Sequence, residues 1–490
     1  MQIPSLFQVR QRSQAEAVEF NAGLPIEKAG HTLTPNLRAL RLAMTTSDVL
    51  LSMGIPANSV VSKALDITEA YCDKPVHIDI TYNLLMLSQI RGIEHEPLTL
   101  IRPVVTRDIN NMTIQSVQQL IYEIRTAKHT LEEAEAKLDD ILNHPIIYPK
   151  WLQQTANAAI APAVVLMFST NWRIITISFV IVLLVDRLVA GLGKRGVVPF
   201  FRQVAAGTFV TLAAAVIAWF AHQDISFFAG MNPTLIVVGG IIMLVAGLAV
   251  VGAVQDAIEE YYLTATARIL RVILLTTGLV VGILIGLYTA RKLGIGIAVS
   301  PNPLHLTVQH FQIIGGAIAA AAYAMATQTR LRAIVWAGLI GGLALTIMYA
   351  ASHNAGIYIV PASGVAAVFV GIIASLCSRL WRTPSAGIIA AGIVPLVPGL
   401  TIYNALMQLV NYPPGNPLFF RGIGTMFIAI GTALAIAAGA SFGSMLGRPM
   451  YRHITYRRNL APFGDFMRRQ LHADYTLTEL AKLRKRRPVK

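Results

Sequence analysis

The chain has 490 residues, of which 54% are hydrophobic and only 13% are charged, about half the usual charged share of a soluble protein. The formal net charge is +15, distributed as −3 over residues 1–150, +9 over 151–446 and +9 over 447–490. This composition argues against a soluble protein, and a basic excess beside and after apolar blocks argues against nucleic-acid binding. We therefore predict a polytopic membrane protein, with most of residues 155 to 446 in the bilayer.

The first 150 residues predict a cytoplasmic α+β domain. No apolar core of a signal peptide opens the chain, and residues 1–35 form a polar lead-in. Apolar periodicity and β-branched runs then predict helices and strands within residues 36–150. The predicted helices are Asn36–Met53, Ser59–Cys72, Thr113–Lys128 and Leu131–Leu142, and the strands are Val76–Ile90 and Pro97–Val105.

Ten apolar segments follow, each of which predicts one membrane-spanning helix. They cover about residues 155–170, 172–190, 203–221, 233–254, 268–290, 310–328, 332–352, 355–378, 385–410 and 418–446. The longest connection, from Ala290 to His310, contains two glycines and two prolines and divides the block into residues 151–300 and 301–446. Five helices followed by five enter the bilayer from opposite sides, which predicts an inverted repeat, although no sequence symmetry is evident.

Loop charges predict the orientation. With both termini in the cytoplasm, the inner loops and helix ends carry ten lysines or arginines and the outer loops carry four. This distribution obeys the positive-inside rule and favours a plasma-membrane protein with both ends inside. The basic tail, residues 447–490, is then placed to contact anionic lipid.

The ninth segment contains the strongest candidate site. In Gly392–Asn404, Pro395 and Pro398 remove two backbone donors, which breaks the helix and leaves carbonyl groups without helical partners. Such breaks are tolerated in a membrane where they face protein or a polar cavity, and transporters often bind substrate there. Tyr403 and Asn404 could add polar contacts. A kink that serves packing alone is the alternative interpretation.

A second candidate lies between the fourth and fifth segments. Gln255–Arg268 contains Asp256, Glu259 and Glu260, most of the acidic residues of the membrane block. A carboxylate near Arg268 and Thr264 could bind an ammonium group or relay a proton. The alternative is a solvated cytoplasmic loop.

A third candidate is the strand that contains His77, Asp79 and Thr81. Alternation places the three polar side chains on one strand face, where His77 and Asp79 could act in acid–base catalysis or form half of a metal site. No nucleophile motif or second ligand pair accompanies them, and the two cysteines, Cys72 and Cys377, form no metal spacing. An ordinary polar strand face is the alternative, and we predict no metal and no cofactor.

Four pieces of this sequence, in order, resemble the threonine/serine exporter family (ThrE). They are HIDIT in the soluble domain, GKRG with VVPFF after the second segment, QD with TATAR after the fourth, and GIVPLVPG in the ninth. The resemblance implies export of threonine and serine, driven by a proton gradient or the membrane potential. Two-component relatives correspond to this chain divided near residue 300 and are linked to dicarboxylate export.

The resemblance also implies roles for particular residues. Matching the family motifs carries functional roles to Asp79, Asp256, Thr264, Arg268, Pro395, Pro398, Gly399 and Tyr403. The chain departs from the family pattern at Glu260 and Tyr262, where small residues or proline are usual, and at Asn404, where an arginine is common. These departures bear on the substrate range.

Three function classes follow from the sequence. The leading hypothesis is a secondary exporter of small amino acids, with a coupling proton and no enzymatic activity; a dicarboxylate exporter is its variant. A membrane-anchored hydrolase using His77 and Asp79 is a second class, and ten segments are more than anchoring requires. A passive channel is the third, although no ring of charges is present. The sequence leaves homo-oligomer formation open.

Overall fold

The computed structural model describes residues 34–72, 74–91, 96–223, 227–228, 231, 233–241, 244, 247–295, 307–381 and 385–454. The predicted lead-in, most of the basic tail and the middle of the Gly/Pro-rich connection lie outside these ranges.

The soluble domain is a small α+β unit with one core. Its elements are α1 (Pro35–Ser52), α2 (Ala57–Tyr71), β1 (Val76–Thr81), β2 (Leu84–Gln89), β3 (Leu98–Pro103), α3 (Asn111–Arg125) and α4 (Leu131–Asn143). Thr34, Asn110 and Thr130 cap the starts of α1, α3 and α4 with their side chains. The three strands form an antiparallel sheet in the order β1-β2-β3. Leucine and isoleucine side chains from the helices and the sheet fill the core between them.

The prediction of one strand over Val76–Ile90 is wrong. The chain reverses at Tyr82 and Asn83, and Thr81 pairs with Leu84 across the resulting hairpin. Tyr82 has φ 53, the left-handed conformation that a two-residue hairpin turn uses. Asn-Gly or Asp-Gly is the usual signal for such a turn, and Tyr-Asn lacks it. The other predicted elements of the domain are present with shifted ends.

Helix covers each of the ten predicted membrane segments. The helices are α5 (Lys150–Leu166), α6 (Trp172–Lys194), α7 (Pro199–His222), α8 (Pro233–Ile241), α9 (Gly247–Ile258), α10 (Tyr262–Lys292), α11 (Gln309–Ala326), α12 (Leu331–Tyr349), α13 (Ile359–Trp381), α14 (Ser385–Ile393), α15 (Gly399–Asn411) and α16 (Pro417–Ile454). A π-helical turn, Ala350–Asn354, extends α12. The fourth segment was predicted to be continuous, and its described parts are α8 and α9, with Leu244 in a turn between them.

Length and hydropathy identify six of the described helices as able to cross a membrane by themselves. They are Trp172–Lys194, Pro199–Ala221, Tyr262–Lys292, Leu331–Asn354, Ile359–Ser378 and Pro417–Gly447. The bent pair α14 and α15 makes a seventh if it counts as one span. The prediction of about ten spans is not confirmed by these criteria. Much of the apolar surface of these helices is exposed, as a helix that faces lipid requires.

The helices α5–α10 and α11–α16 show the same set of pairings. In each group the first helix packs on the second, the second on the third, and the third on the fifth. The first part of the split fourth segment, α8 or α14, packs on the first, second and third helices, and the second part, α9 or α15, packs on the fifth. Between the groups, α5 packs on α11, α9 on α16 and α15 on α10. Helix order and packing partners therefore repeat after α10.

Glycines at a spacing of four residues permit the closest of these pairings. On α10, Gly278, Gly282 and Gly286 pack against the backbone of α7, and on α16, Gly439, Gly443 and Gly447 pack against the backbone and small side chains of α13. A methyl group at Gly282 would overlap the Val204 carbonyl oxygen, and one at Gly443 would overlap the Val368 carbonyl oxygen. Small residues at such an interface let two helix backbones approach, and both groups use them at the same pair.

Candidate functional site

The ninth segment is broken where its prolines predict. The helix α14 ends at Ile393, a short 3-10 turn covers Val394–Leu396, and α15 begins at Gly399, with a bend of 47° between the two parts. Because Pro395 has no N–H, it cannot donate to the Ala391 carbonyl group. Pro398 occupies the cap position of α15, so no side chain caps its first turn. The break thus presents backbone groups that neighbouring protein, water or a ligand must satisfy.

Glycines of two neighbouring helices make room for this break. A methyl group at Gly316 of α11 would lie 3.2 Å from Pro395 Cβ, and one at Gly341 of α12 would lie 3.4 Å from Pro395 Cγ. One helical turn along α11 from Gly316, buried Gln312 accepts a hydrogen bond from the hydroxyl of Tyr349 on α12. The Gln312 amide donates to the Thr307 carbonyl group. Polar groups therefore lie one helical turn along α11 from the glycine that packs against Pro395.

The second part of the fourth segment, α9, and the second part of the ninth, α15, each pack in the core of the other helix group. The core formed by α5–α8 and α10 contains Tyr403 and Met407 of α15. The core formed by α12–α14 and α16 contains Val251 of α9, with Val254 packed against it. Leu396 and Val397, at the break of the ninth segment, belong to the same core as Val251. Each group of helices therefore holds half of a split segment that belongs to the other group.

Tyr403 is the buried polar residue closest in sequence to the break. Its side chain is 3% exposed, and its hydroxyl has no hydrogen-bond partner in the described ranges. Buried hydroxyl groups are normally paired, so an unpaired one indicates a position for water or a ligand group. Asn404, the next residue, is half-buried.

Asp256 and Arg268 form a buried ion pair. Arg268 Nη1 lies 2.5 Å from Asp256 Oδ2, with the Asp256 side chain fully buried and the Arg268 side chain 21% exposed. Neither Asp256 oxygen has a well-aligned hydrogen bond within the described chain, although the Ala57 backbone N–H of α2 faces this carboxylate. The sequence predicted Asp256 in the connection between the fourth and fifth segments and Arg268 at the start of the fifth. Instead, Asp256 lies in α9 and Arg268 in α10, joined by residues 259–261, so helix geometry holds the pair together.

The hairpin of the soluble domain contacts the same junction. Thr264 is buried, and its Oγ1 accepts a hydrogen bond of 3.0 Å from the Tyr82 backbone N–H. Tyr261 packs against the soluble core. Burial, together with the carboxylates of Asp79, Glu259 and Asp256, raises the pKa of Tyr261. The second and third sequence candidates are therefore neighbours in the structure.

His77, Asp79 and Thr81 share one face of β1, as alternation predicts. His77 and Asp79 are exposed, and Thr81 donates a long hydrogen bond of 3.5 Å to Asp79. Ser88 stands opposite His77 on β2, yet its hydroxyl bonds that of Thr99 at 2.8 Å. No nucleophile engages His77 among the described residues. In the same ranges, no group of three or more His, Cys, Asp and Glu side chains is arranged to hold a metal.

Sequence reasoning missed three polar residues of the membrane block. Gln312 and Tyr349 form the buried pair described above, and Asp186 is a half-buried carboxylate within α6. A polar or charged residue inside an apolar segment is the signal that could have identified each of them.

Comparison with known proteins gives a consistent set of relatives. Residues 41–290 match a family model described as a putative threonine/serine exporter, and residues 312–445 match one described as threonine/serine exporter, ThrE. A probable threonine/serine exporter of Mycobacterium tuberculosis is 31% identical over 88% of this chain and 79% of its own. A threonine/serine exporter of Corynebacterium glutamicum is 28% identical over 87% of this chain and 86% of its own. No solved structure matches. The two family models meet between α10 and α11, where the packing repeats.

Proposed function

The chain belongs to the threonine/serine exporter family, and on that premise we propose that it is a secondary transporter that exports small amino acids, chiefly threonine and serine, across the plasma membrane. The named relatives support the amino-acid class. The observation that carries the transport site is the exchange of α9 and α15 between the two helix groups. It brings a broken backbone to the boundary between two bodies that can move relative to each other.

We propose that α5–α10 and α11–α16 are inverted halves with five membrane crossings each. The crossings are the six long helices, the bent pair α14 and α15, the split pair α8 and α9, and the shorter helices α5 and α11. The repeated pairings and the glycines repeated at the same pair support this assignment. In inverted-repeat transporters, substrate binds near the midplane between the repeats, at broken helices.

We propose a cytoplasmic position for both termini and for the soluble domain. The soluble domain contacts residues 261–264, 327–329 and 386–387. All three contact regions lie at connections that the positive-inside rule assigns to the inner side. The basic tail would then contact anionic lipid from the same side.

The chemistry of an amino acid fits the proposed site. The uncapped first turn of α15 offers N–H groups and a positive dipole end to the substrate carboxylate. The carbonyl group of Ala391, which Pro395 leaves without a helical donor, can accept a hydrogen bond from the substrate ammonium group. The unpaired hydroxyl of Tyr403 can pair with the hydroxyl of threonine or serine. A dicarboxylate needs a second cationic partner. Arg202, whose Nε is buried without a hydrogen-bond partner among the described residues, lies at the start of α7 and not in the ninth segment.

We propose that a proton gradient drives export and that Asp256 participates in coupling. A fully buried carboxylate beside one arginine is a group whose protonation would change the strength of the ion pair. It lies on α9, and Val251 of α9 belongs to the same apolar core as Leu396 at the break of the ninth segment. Protonation of Asp256 and substrate binding at the break would therefore act on one core.

Efflux from proteoliposomes tests the proposal. Vesicles containing the purified protein are loaded with threonine, serine, succinate or leucine, and efflux is measured with and without an acid exterior. We expect threonine and serine to leave faster than leucine and succinate, and an acid exterior to accelerate them. Efflux of succinate alone would instead support dicarboxylate export. Efflux that does not saturate and ignores the gradient would support a passive channel.

A further inference from the structure

The soluble domain is attached to the first helix group through α10. The Tyr82 N–H bonds Thr264 Oγ1 at 3.0 Å, and Tyr261 packs in the soluble core. The chain also passes directly from the domain into α5 after Asn143 and a short connection. This first attachment therefore combines the covalent linkage, the apolar contact of Tyr261 and a partly buried hydrogen bond.

The domain is attached to the second helix group by a set of polar contacts at the start of α3 and by Ala386 of α14, which packs against the soluble core. The N–H groups of Asn111 and Met112 donate to the carbonyl groups of Thr327 and Gln328, at 3.0 and 3.2 Å. The Asn111 amide donates to the hydroxyl groups of Thr327 and Thr329, both at 3.0 Å. Asn111, Thr327 and Thr329 are all buried.

Two further contacts extend this second attachment. The Tyr148 hydroxyl donates to the Thr329 carbonyl group at 2.9 Å. Asn111 also covers the start of α14, since a methyl group at Gly387 would lie 2.7 Å from Asn111 Oδ1. The domain therefore covers the start of α14, in the broken ninth segment. It also covers the loop of residues 327–329, which joins α11 to α12, the two helices that pack against Pro395.

We propose that the soluble domain is the inner gate of the transporter and that α3 must release the 327–329 loop before substrate enters from the cytoplasm. This inference rests on the proposed function. Relative movement of the two halves alternates access to a site between them. A domain bonded to both halves on one side opposes that movement, so one attachment must open. The opening attachment is the polar one, because its groups can exchange their partners for water.

A reversible cross-link tests the gate. Asn111→Cys and Thr329→Cys are combined with Cys72→Ser and Cys377→Ser and treated with a short bifunctional methanethiosulfonate reagent. With the loop tied to α3, we expect threonine efflux to fall at least about tenfold and to return after reduction, as for a lid that cannot open. Each single-cysteine protein, treated in the same way, is the control. Full efflux from the cross-linked protein would overturn the gate.

A second readout does not depend on the substrate. Asn404→Cys, beside the break, is added to the cross-linkable protein, and its labelling by a membrane-impermeant maleimide is followed in inside-out vesicles. Because the methanethiosulfonate also reacts with an accessible thiol at position 404, the protein that carries Asn404→Cys as its single cysteine is treated in the same way, and its rate of maleimide labelling is the reference. The gate predicts at least about tenfold slower labelling when α3 is tied down. An unchanged labelling rate would refute the gate even if the transported compound proved to be other than threonine or serine. Slower labelling with no amino-acid efflux from the wild type would refute the proposed substrate and keep the gate.

Discussion

The two helix groups, α5–α10 and α11–α16, share a scaffold and differ in the polar groups that it carries. In both, the third and fifth helices are joined through glycines spaced four residues apart, and the fourth segment is split. The second part of that segment bears a buried ion pair in the first half, Asp256 with Arg268. In the second half it bears uncharged groups, Tyr403 and Gln408, with Thr425 near the Gln408 amide. Packing repeats because backbone contact depends only on small residues, whereas the polar groups can diverge and give the two helix groups different chemistry.

The largest expected effect comes from breaking the shared scaffold. Gly443→Leu in α16 and Gly282→Leu in α10 each force a side chain into the backbone of a neighbouring helix. Overpacking of this kind costs about 1–3 kcal/mol or more, so we expect both variants to lose the monodisperse peak in detergent or to melt earlier. Gly424→Leu is the matched control, because nothing lies within 4 Å of a methyl group there. If only one of the two variants is affected, the halves do not share their packing.

The next effect sharpens the difference between the halves. Asp256→Asn removes the charge that pairs with Arg268, and we expect export to fall at least about tenfold while the protein stays in the membrane. The loss of stability should be less than the about 3–5 kcal/mol of a fully buried pair, because Arg268 keeps 21% of its side chain exposed. Efflux and thermal unfolding are measured beside Glu260→Gln, an exposed neighbour. Unchanged threonine efflux would remove Asp256 from the mechanism.

Tyr403→Phe tests the uncharged polar group that the second helix group carries where the first carries the Asp256–Arg268 pair. The hydroxyl has no partner among the described residues, so its removal should leave thermal stability unchanged or slightly higher. Loss of one hydrogen bond to substrate should lower threonine efflux by about tenfold. The exposed Tyr358→Phe serves as the control. A variant that melts earlier yet transports normally would show that the hydroxyl has a structural partner instead.

The smallest expected effect concerns the hydrogen bond between Tyr349 and Gln312, near the helices that pack against Pro395. Tyr349→Phe leaves the Gln312 carbonyl oxygen without its donor in a buried position, and we expect a loss of about 1 kcal/mol in the free energy of unfolding. The melting temperature of the purified protein is compared with that of Tyr288→Phe, which is exposed. Equal melting temperatures would mean that water replaces the hydroxyl and that the pair does not hold α11 to α12.

Several structural features were predictable because local physics specifies them. Two prolines within four residues remove two backbone donors from one stretch of helix, so the break at Pro395 and Pro398 could be located from the sequence, whereas the single Pro162 lies inside α5 without ending it. Apolar periodicity likewise predicted the helices of the soluble domain. The hairpin at Tyr82 could not be predicted, because an unusual residue adopts the left-handed conformation there. The split of the fourth segment was also missed, because no proline marks it.

What the sequence determined by itself was the membrane class, the ten apolar segments, the family and the position of the broken helix, since these depend on composition and short motifs. Tertiary structure decided which residues meet. Asp256 faces Arg268 because α9 and α10 pack together, Tyr403 is buried because α15 enters the core of the other half, and Asn111 meets Thr327 across more than two hundred residues. These contacts depend on the packing of distant helices, and no local pattern encodes that packing.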